Sequence, residues 1–131
     1  IREKIENSKN KLETIRILLL GWSYKPNIAD IRETPSEPLA NKLLEYGYEV
    51  YVWDPFISPN DWVNPAILVD SPEMAKADVV VVCTAHSPVL NINWGELRKS
   101  SHLGILYDGR RVLNLRKMKD LGWDVNAVGR P

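Results

Sequence analysis

The sequence lacks the features of several large protein classes: it has one cysteine, no long apolar run and no net charge. A single cysteine, Cys83, cannot form an internal disulfide, so we expect a reducing compartment and predict a cytoplasmic location. The 17 basic and 17 acidic side chains balance, which argues against nucleic acid or an anionic membrane as a partner. Because no apolar run approaches the length of a membrane span, we expect no membrane partner.

Candidate metal ligands and nucleophiles are also scarce. His86 and His102 are far apart and have no cluster of cysteines or carboxylates beside them, so we predict no metal site. His86 falls on a loop where it could contact a ligand, whereas His102 is expected at the surface. Cys83 ends an apolar stretch and most simply packs in the core; a nucleophilic role would need a basic neighbour such as His86.

The first residues, IREKIENSKNK, lack both an initiator methionine and the apolar stretch of a signal peptide. Residues 2–12 are mostly charged and polar, which is typical of an exposed helix end. We therefore expect the chain to be a piece of a larger protein. Residues 1–13 would be the end of a helix from a preceding domain, and residues 14–131 would form one domain.

Apolar runs alternate with helical patterns along the rest of the chain. TIRILLLG and ADVVVVCT are continuous apolar runs, which are typical of strands buried on both faces. In TPSEPLANKLLEYG, Thr34 or Ser36 can cap a helix with Pro35 at its first position, and Gly47 ends it. Strands that alternate with helices predict an α/β fold with a mainly parallel sheet.

Ligands of open parallel sheets lie beyond the carboxyl ends of the strands. Two of the predicted strand-end loops carry cationic side chains: Lys25 and Arg32 in the loop after Gly21, and Arg110 and Arg111 in DGRR. Arginine and lysine bind phosphate or carboxylate. The pattern therefore predicts an anion site, and phosphate is the favoured ligand.

Each of these residues also has a simpler explanation. Lys25 alone would usually be a surface lysine, and Arg32 could form a salt-bridged loop with its acidic neighbours Asp30 and Glu33. Arg110 and Arg111 follow Asp108-Gly109, a turn signal, and could be solvated turn residues.

Asp54 stands at the end of the second strand, where dinucleotide-binding folds place an acid that binds ribose. The G-x-G-x-x-G turn that should precede such an acid is absent. Because Asp-Pro is also an ordinary way to open a turn, we favour the turn interpretation for Asp54.

The stretch LLLGWSYKPNIADIRETPSEP resembles a motif of the UDP-glucose/GDP-mannose dehydrogenase family, G-x-x-[FY]-K-[PK]-x-x-x-D-x-R-E-[ST]-[PS]. The segments ADVVVVCTAHSPV, ILYDGRRVL and LGWDVNAVGRP also resemble strand-end segments of that family. The resemblance covers nearly the whole chain and is to the family's C-terminal, UDP-sugar-binding domain. It implies a Rossmann-like three-layer sandwich.

The resemblance also implies an activity for the parent protein. Members of the family oxidise the C6 hydroxyl of a UDP- or GDP-sugar to a carboxylate, with NAD as the cofactor and a cysteine of the central region as the nucleophile. Because this chain has no G-x-G-x-x-G and Cys83 does not match that nucleophile, we expect a fragment that is not catalytic alone. Its partners would be a UDP-sugar and the N-terminal NAD-binding and central domains of a homodimeric parent.

Site residues follow from the resemblance position by position. Tyr24 and Lys25 would contact the sugar-nucleotide, Arg110 would contact it as well, and Arg32 would reach the NAD held mainly by the missing domain. No catalytic residue and no metal ligand is implied. YKPN and TAHS resemble the UDP-N-acetylhexosamine branch slightly more, with UDP-glucose and GDP-mannose still open. A stand-alone nucleotide-binding or regulatory module of the same fold is the alternative.

Overall fold

The described residues form a six-stranded sheet that is parallel at every pairing, with helices on both of its faces. The computed structural model describes residues 14–23 and 34–127. The order of the strands across the sheet is β3-β2-β1-β4-β5-β6. Their bounds are Arg16–Leu20 (β1), Glu49–Trp53 (β2), Ile67–Leu68 (β3), Val79–Val82 (β4), Ile105–Asp108 (β5) and Asp124–Ala127 (β6). The predicted α/β class and parallel sheet are confirmed.

The apolar runs of β1 and β4 reflect burial on both faces of the sheet. Ile17 and Leu19 of β1 point into one core cluster, and Leu18 and Leu20 point into the other. All four side chains are fully buried, because helices cover each face. This arrangement explains why these strands show continuous apolar sequence instead of alternation, and it confirms the three-layer sandwich.

Four α-helices connect the strands among the described residues. They are Ser36–Glu45 (α1), Ser87–Leu90 (α2), Trp94–Ser100 (α3) and Leu115–Asp120 (α4). Ala40 and Leu43 of α1 cover one face of the sheet, while α3 and α4 cover the other. The short α2 was not predicted, and a 3₁₀ turn lies at Pro72–Ala75.

The sequence predicted the end of α1 correctly but not its start. At the start, Pro35 is the N-cap and not the first helical residue, and Thr34 Oγ1 accepts from the Ser36 N–H at 3.3 Å. The predicted side-chain cap at Thr34 or Ser36 is therefore wrong, because Pro35 takes the cap position. At the end, Gly47 has φ +88° and its N–H donates to Leu44 O. Gly47 thus ends the helix as predicted.

The strand order reverses between β1 and β4. The chain proceeds outward from β1 through β2 to β3, and then crosses to β4 and proceeds the other way. At such a reversal the connections leave in opposite directions, which opens a crevice at the carboxyl ends of the strands. The residues that follow β1, β4 and β5 surround this crevice. The predicted helix end at residues 1–13 lies outside the described residues.

Candidate functional site

A cavity of about 290 Å³ lies at the carboxyl ends of β1, β4 and β5, at the reversal of strand order. One wall comes from the segment after β1 and from the start of α1, and the other comes from the ends of β4 and β5. Its lining residues are Ser23, Pro35, Ser36, Leu39, Val81, Val82, Cys83, Tyr107, Gly109 and Arg110. The lining combines apolar groups with a few polar ones, as in small-molecule sites.

Two glycines allow the strand ends around the cavity to approach each other closely. Gly21 has φ +90°, and a Cβ added there would lie 2.5 Å from Cβ of Thr84. A Cβ on Gly109 would lie 2.7 Å from the carbonyl oxygen of Val82. Both distances are shorter than atoms tolerate, so the approach of the backbones requires glycine at both positions.

Arg110 stands on the turn after β5 and is held from two sides. Its Nε donates to the carbonyl of Cys83 at 2.8 Å, and its backbone N–H donates to Oδ1 of Asp108 at 3.1 Å. The other oxygen of Asp108, a fully buried residue, accepts from the Leu113 N–H at 2.8 Å. The predicted turn therefore exists, and it places the exposed Arg110 side chain at the cavity.

Arg111 is exposed, has φ +58° and is not among the residues that line the cavity. The structure therefore separates two arginines that are adjacent in the sequence. Arg110 is directed toward the cavity rim, and Arg111 takes the left-handed conformation that tightens the turn.

Cys83 lines the cavity but is not suited to act as a nucleophile. Burial raises the pKa of its thiol to about 12, although the Ser36 hydroxyl and the Arg110 charge act in the opposite direction. A thiol with that pKa carries almost no thiolate at neutral pH. The side chain packs against the core cluster on one face of the sheet, which agrees with the packing role.

Behind the cavity wall lies a buried carboxylate, Asp54, at the end of β2. Its Oδ2 accepts from the N–H groups of Trp22 (2.9 Å) and Ser23 (3.2 Å) and from Nε2 of His86 (2.9 Å). Its Oδ1 accepts from the Phe56 N–H at 2.9 Å. The side chains of Asp54 and His86 are both fully buried, and the His86 ring packs on Phe56.

The pKa of Asp54 shows which effect dominates at this carboxylate. Burial alone would raise the pKa, but the hydrogen bonds from His86, Trp22 and Phe56 together lower it below its ordinary value. Asp54 is therefore ionised at neutral pH. Because Oδ2 already accepts from two backbone N–H groups, His86 Nε2 most simply carries the proton and donates to it.

The same network extends to both ends of the segment that joins β1 to α1. The Thr34 hydroxyl donates to the carbonyl of Trp22, and the Thr84 hydroxyl donates to the carbonyl of Ser23. The residues before and after positions 24–33 are thus tied to each other and to the end of β4. These ties fix Ser23 and the start of α1, which form one wall of the cavity.

The structure locates one of the four predicted site residues. Arg110 lies at the cavity, as the strand-end argument predicted. Tyr24, Lys25 and Arg32 lie outside the described residues.

Sequence reasoning missed the part played by Asp54 and His86. Asp54 does open a turn through Phe56, but it is also the centre of a buried network, and the fully buried His86 side chain bonds to it. The order of the strands, which the sequence did not reveal, is what brings the pair together. The strands before these residues flank β1 on either side, so an acid after one and a histidine after the other meet over the end of β1.

The part of the chain that the structure describes holds no group of three or more metal-ligating side chains. Within the same residues, no helix has the length and apolar character needed to cross a bilayer.

Comparisons with known proteins agree with this geometry. The model of the UDP-glucose/GDP-mannose dehydrogenase family, UDP binding domain, matches residues 18–115. UDP-glucose 6-dehydrogenase of Drosophila melanogaster is 26% identical over 146 residues, covering 96% of this chain and 30% of the fly protein. UDP-N-acetyl-D-glucosamine 6-dehydrogenase of Pseudomonas aeruginosa is 32% identical over 104 residues, covering 76% of this chain and 24% of that protein.

A solved structure shows the same fold. NDP-N-acetyl-D-galactosaminuronic acid dehydrogenase from Methanosarcina mazei superposes with a TM-score of 0.80 at 25% identity, over 98% of this chain and 28% of that one. The chain thus spans less than a third of the length of these relatives. Because the family model covers most of the described sheet, the chain belongs to the UDP-glucose/GDP-mannose dehydrogenase family and carries its UDP binding domain.

Proposed function

We propose that the chain is the substrate-binding C-terminal domain of an NAD-dependent nucleotide-sugar 6-dehydrogenase. The whole enzyme would oxidise the C6 hydroxyl of a UDP-sugar to the carboxylate, and this domain would bind the nucleotide without carrying out catalysis. One observation supports the proposal most strongly: a cavity at the reversal of strand order has an arginine at its rim. That edge is where parallel sheets bind nucleotides.

Arg110 suits the pyrophosphate of a UDP-sugar. The guanidinium has several N–H donors in a planar fork, and one of them already fixes its orientation through the carbonyl of Cys83. A guanidinium held in this way loses little further side-chain entropy when it binds an anion. Tyr24 and Lys25 would add contacts from the preceding loop, as their match to the family motif suggests.

This chain lacks the two features with which a dinucleotide-binding domain holds NAD, an available ribose-binding acid after the second strand and a glycine-rich phosphate turn after the first. Asp54, at the position of the ribose-binding acid, is buried and already accepts from His86, Trp22, Ser23 and Phe56. No glycine-rich phosphate turn follows β1. The dinucleotide would therefore be held mainly by another domain, and a contact from Arg32 to it is part of the proposal.

The remaining features of the parent protein are proposed on the same basis. The partners would be the N-terminal NAD-binding and central domains of a homodimer in the cytoplasm. Relatives that act on UDP-glucose and on UDP-N-acetylhexosamines match this chain about equally well, so we leave both substrate classes within the proposal.

The affinity of the 131-residue chain for UDP, measured by calorimetry, tests the proposal. We expect weak binding, and Arg110→Ala should remove a charge-assisted hydrogen bond worth about 1.5–3 kcal/mol, or roughly a tenfold loss of affinity or more. Arg16→Ala is the matched control, because Arg16 stands at the amino end of β1, far from the carboxyl ends that form the cavity, in an exposed pair with Glu49. UDP binding that Arg110→Ala leaves unchanged would refute the site.

The stand-alone module remains the second candidate, and it makes a different prediction. A gene that encodes, upstream of this segment, a G-x-G-x-x-G turn and a catalytic cysteine supports the enzyme. The full-length product should then reduce NAD+ with a UDP-sugar, whereas a stand-alone module should bind UDP and reduce nothing.

A further inference from the structure

We infer that Asp54 is a positioning residue for the nucleotide site: together with Thr84 and His86 it sets the cavity wall opposite Arg110. The inference rests on the proposed function, because it concerns the affinity of that same cavity for UDP. Asp54 itself does not line the cavity, so any effect it has on binding must act through the residues that it holds.

The first step of the argument is the number of donors that converge on one carboxylate. Asp54 accepts from the N–H groups of Trp22, Ser23 and Phe56, from the Ser23 hydroxyl at 3.3 Å and from His86 Nε2. These donors come from the segments that follow β1, β2 and β4. A single buried anion therefore joins the ends of three adjacent strands.

The second step is the connection from Asp54 to the cavity. Ser23 lines the cavity, and Asp54 holds both its N–H and its hydroxyl, while Thr84 holds its carbonyl. The Thr34 hydroxyl bonds the carbonyl of Trp22 and accepts from the N–H of Ser36, a second lining residue. Asp54 thus holds the first end of the segment between β1 and α1 directly, and it is linked to the second end through Trp22.

The third step is the position of the opposite wall. Arg110 is held by the Asp108 carboxylate and the Cys83 carbonyl, and neither of these two contacts includes an atom of Asp54. Loss of Asp54 would therefore move one wall relative to the other and not the whole cavity. A shift of about 1 Å in a binding group can cost up to a hundredfold in rate, and nucleotide affinity should be similarly sensitive.

Asp54→Asn is the most informative variant. It preserves the shape of the side chain but supplies a single acceptor oxygen, so the amide NH₂ must face either the Phe56 N–H or the donors from Trp22, Ser23 and His86. Asp78→Asn is the matched control. Asp78 is also 4% exposed, and its carboxylate also accepts from a neighbouring strand, through the Arg16 N–H at 2.9 Å. It differs in position, because it lies just before β4, at the amino ends of the strands.

The experiment measures UDP affinity at a temperature where every variant is fully folded, so that lost stability does not appear as lost affinity. We expect Asp54→Asn to weaken UDP binding about tenfold and Asp78→Asn to change it less than about twofold. Thr84→Val, which keeps the volume of the side chain and removes only the hydroxyl donor to Ser23, should weaken binding about threefold. This milder variant keeps the test available where Asp54→Asn does not fold.

Hydrogen exchange in the absence of ligand gives an independent measurement. The amides of Trp22 and Ser23 should be protected in the wild type and in Asp78→Asn, and exposed in Asp54→Asn. Exchange of these two amides at unfolded-chain rates in the wild type would overturn the inference.

The binding results separate the two claims. No UDP binding by the wild type would overturn the proposed function and this inference with it. Wild-type binding that Asp54→Asn and Thr84→Val both leave unchanged would overturn the inference and leave the proposed function intact.

Discussion

The two ends of the parallel strands make a useful comparison, because each has a cavity, cationic side chains and a buried aspartate. We call the side of the sheet where the strands begin the amino edge, and the side where they end the carboxyl edge. The amino edge has the larger cavity, about 450 Å³ against about 290 Å³ at the carboxyl edge. Its lining includes Arg16, Lys76, Lys99 and His102. Size and charge alone would therefore favour the amino edge as the nucleotide site.

The organisation of the two edges leads to the opposite conclusion. At the amino edge, Arg16 pairs with Glu49 at 3.8 Å and Lys99 pairs with Glu96 at 3.2 Å, and these pairs are exposed to solvent. At the carboxyl edge, the Arg110 side chain is fixed on a backbone carbonyl. A site is distinguished by groups that the fold holds in place before the ligand arrives, and in the part of the chain that the structure describes the carboxyl edge combines such a group with the reversal of strand order.

The two aspartates differ in the same way. Among the described contacts, the Asp78 carboxylate accepts one hydrogen bond, from the Arg16 N–H, which ties the start of β4 to β1. Asp54 collects donors from three strand ends and, through Ser23, reaches the cavity wall. The two aspartates are therefore equally buried but differ in role: Asp78 joins strands within the sheet, whereas Asp54 also holds a residue of the cavity wall.

The largest effect that we expect on stability is at Gly21. Gly21→Ala should lower the free energy of unfolding by about 3–5 kcal/mol, because the new Cβ would overlap Thr84 and the backbone is left-handed. Gly47→Ala is the matched control: it has a similar φ, +88°, but open space around the added Cβ, so it should cost about 1–2 kcal/mol. Urea unfolding of both variants checks this, and equal losses would show that the close approach to Thr84 does not constrain the carboxyl edge.

A smaller effect concerns acid stability and Asp54. Because its folded pKa lies below the ordinary value of 3.8, ionised Asp54 contributes stability that is present above about pH 4 and is lost as the pH falls through the folded pKa. The difference in unfolding free energy between wild type and Asp54→Asn should therefore shrink from pH 7 toward pH 3. A difference that stays constant over this range would contradict the lowered pKa of Asp54.

The smallest effect is expected at the amino edge. Arg16→Ala removes an exposed ion pair with Glu49, so it should change the free energy of unfolding by less than about 1 kcal/mol. Thermal unfolding at low and high salt measures the contribution. A loss as large as that of Gly21→Ala would mean that the amino edge is organised as tightly as the carboxyl edge.

Much of the fold could be predicted from the sequence because its signals are local. The apolar runs RILLL and VVVV marked the buried strands, and Gly47 marked the end of α1. The strand-end rule predicted Arg110 near the carboxyl ends of the strands, although the Asp108-Gly109 turn signal also allowed a solvated turn residue. For the buried strands and the end of α1, a short stretch of sequence contains the physical cause.

The rest could not be predicted, because its causes join distant residues. Asp54 and His86 are 32 positions apart, and an Asp-Pro turn looks the same in sequence whether its carboxylate faces solvent or accepts several buried donors. The tie from Arg110 to the carbonyl of Cys83 crosses 27 positions and involves a backbone atom that every residue has. Such contacts become visible only when the strand order is known.

A map of UDP binding by NMR tests the central claim most directly, because it lets the two edges of the sheet compete within one molecule. The account predicts that UDP shifts the amides of Ser23, Ser36, Cys83 and Arg110 at the carboxyl edge, with little change at Thr14, Lys76, Ser101 and His102. Shifts confined to the amino edge would contradict it.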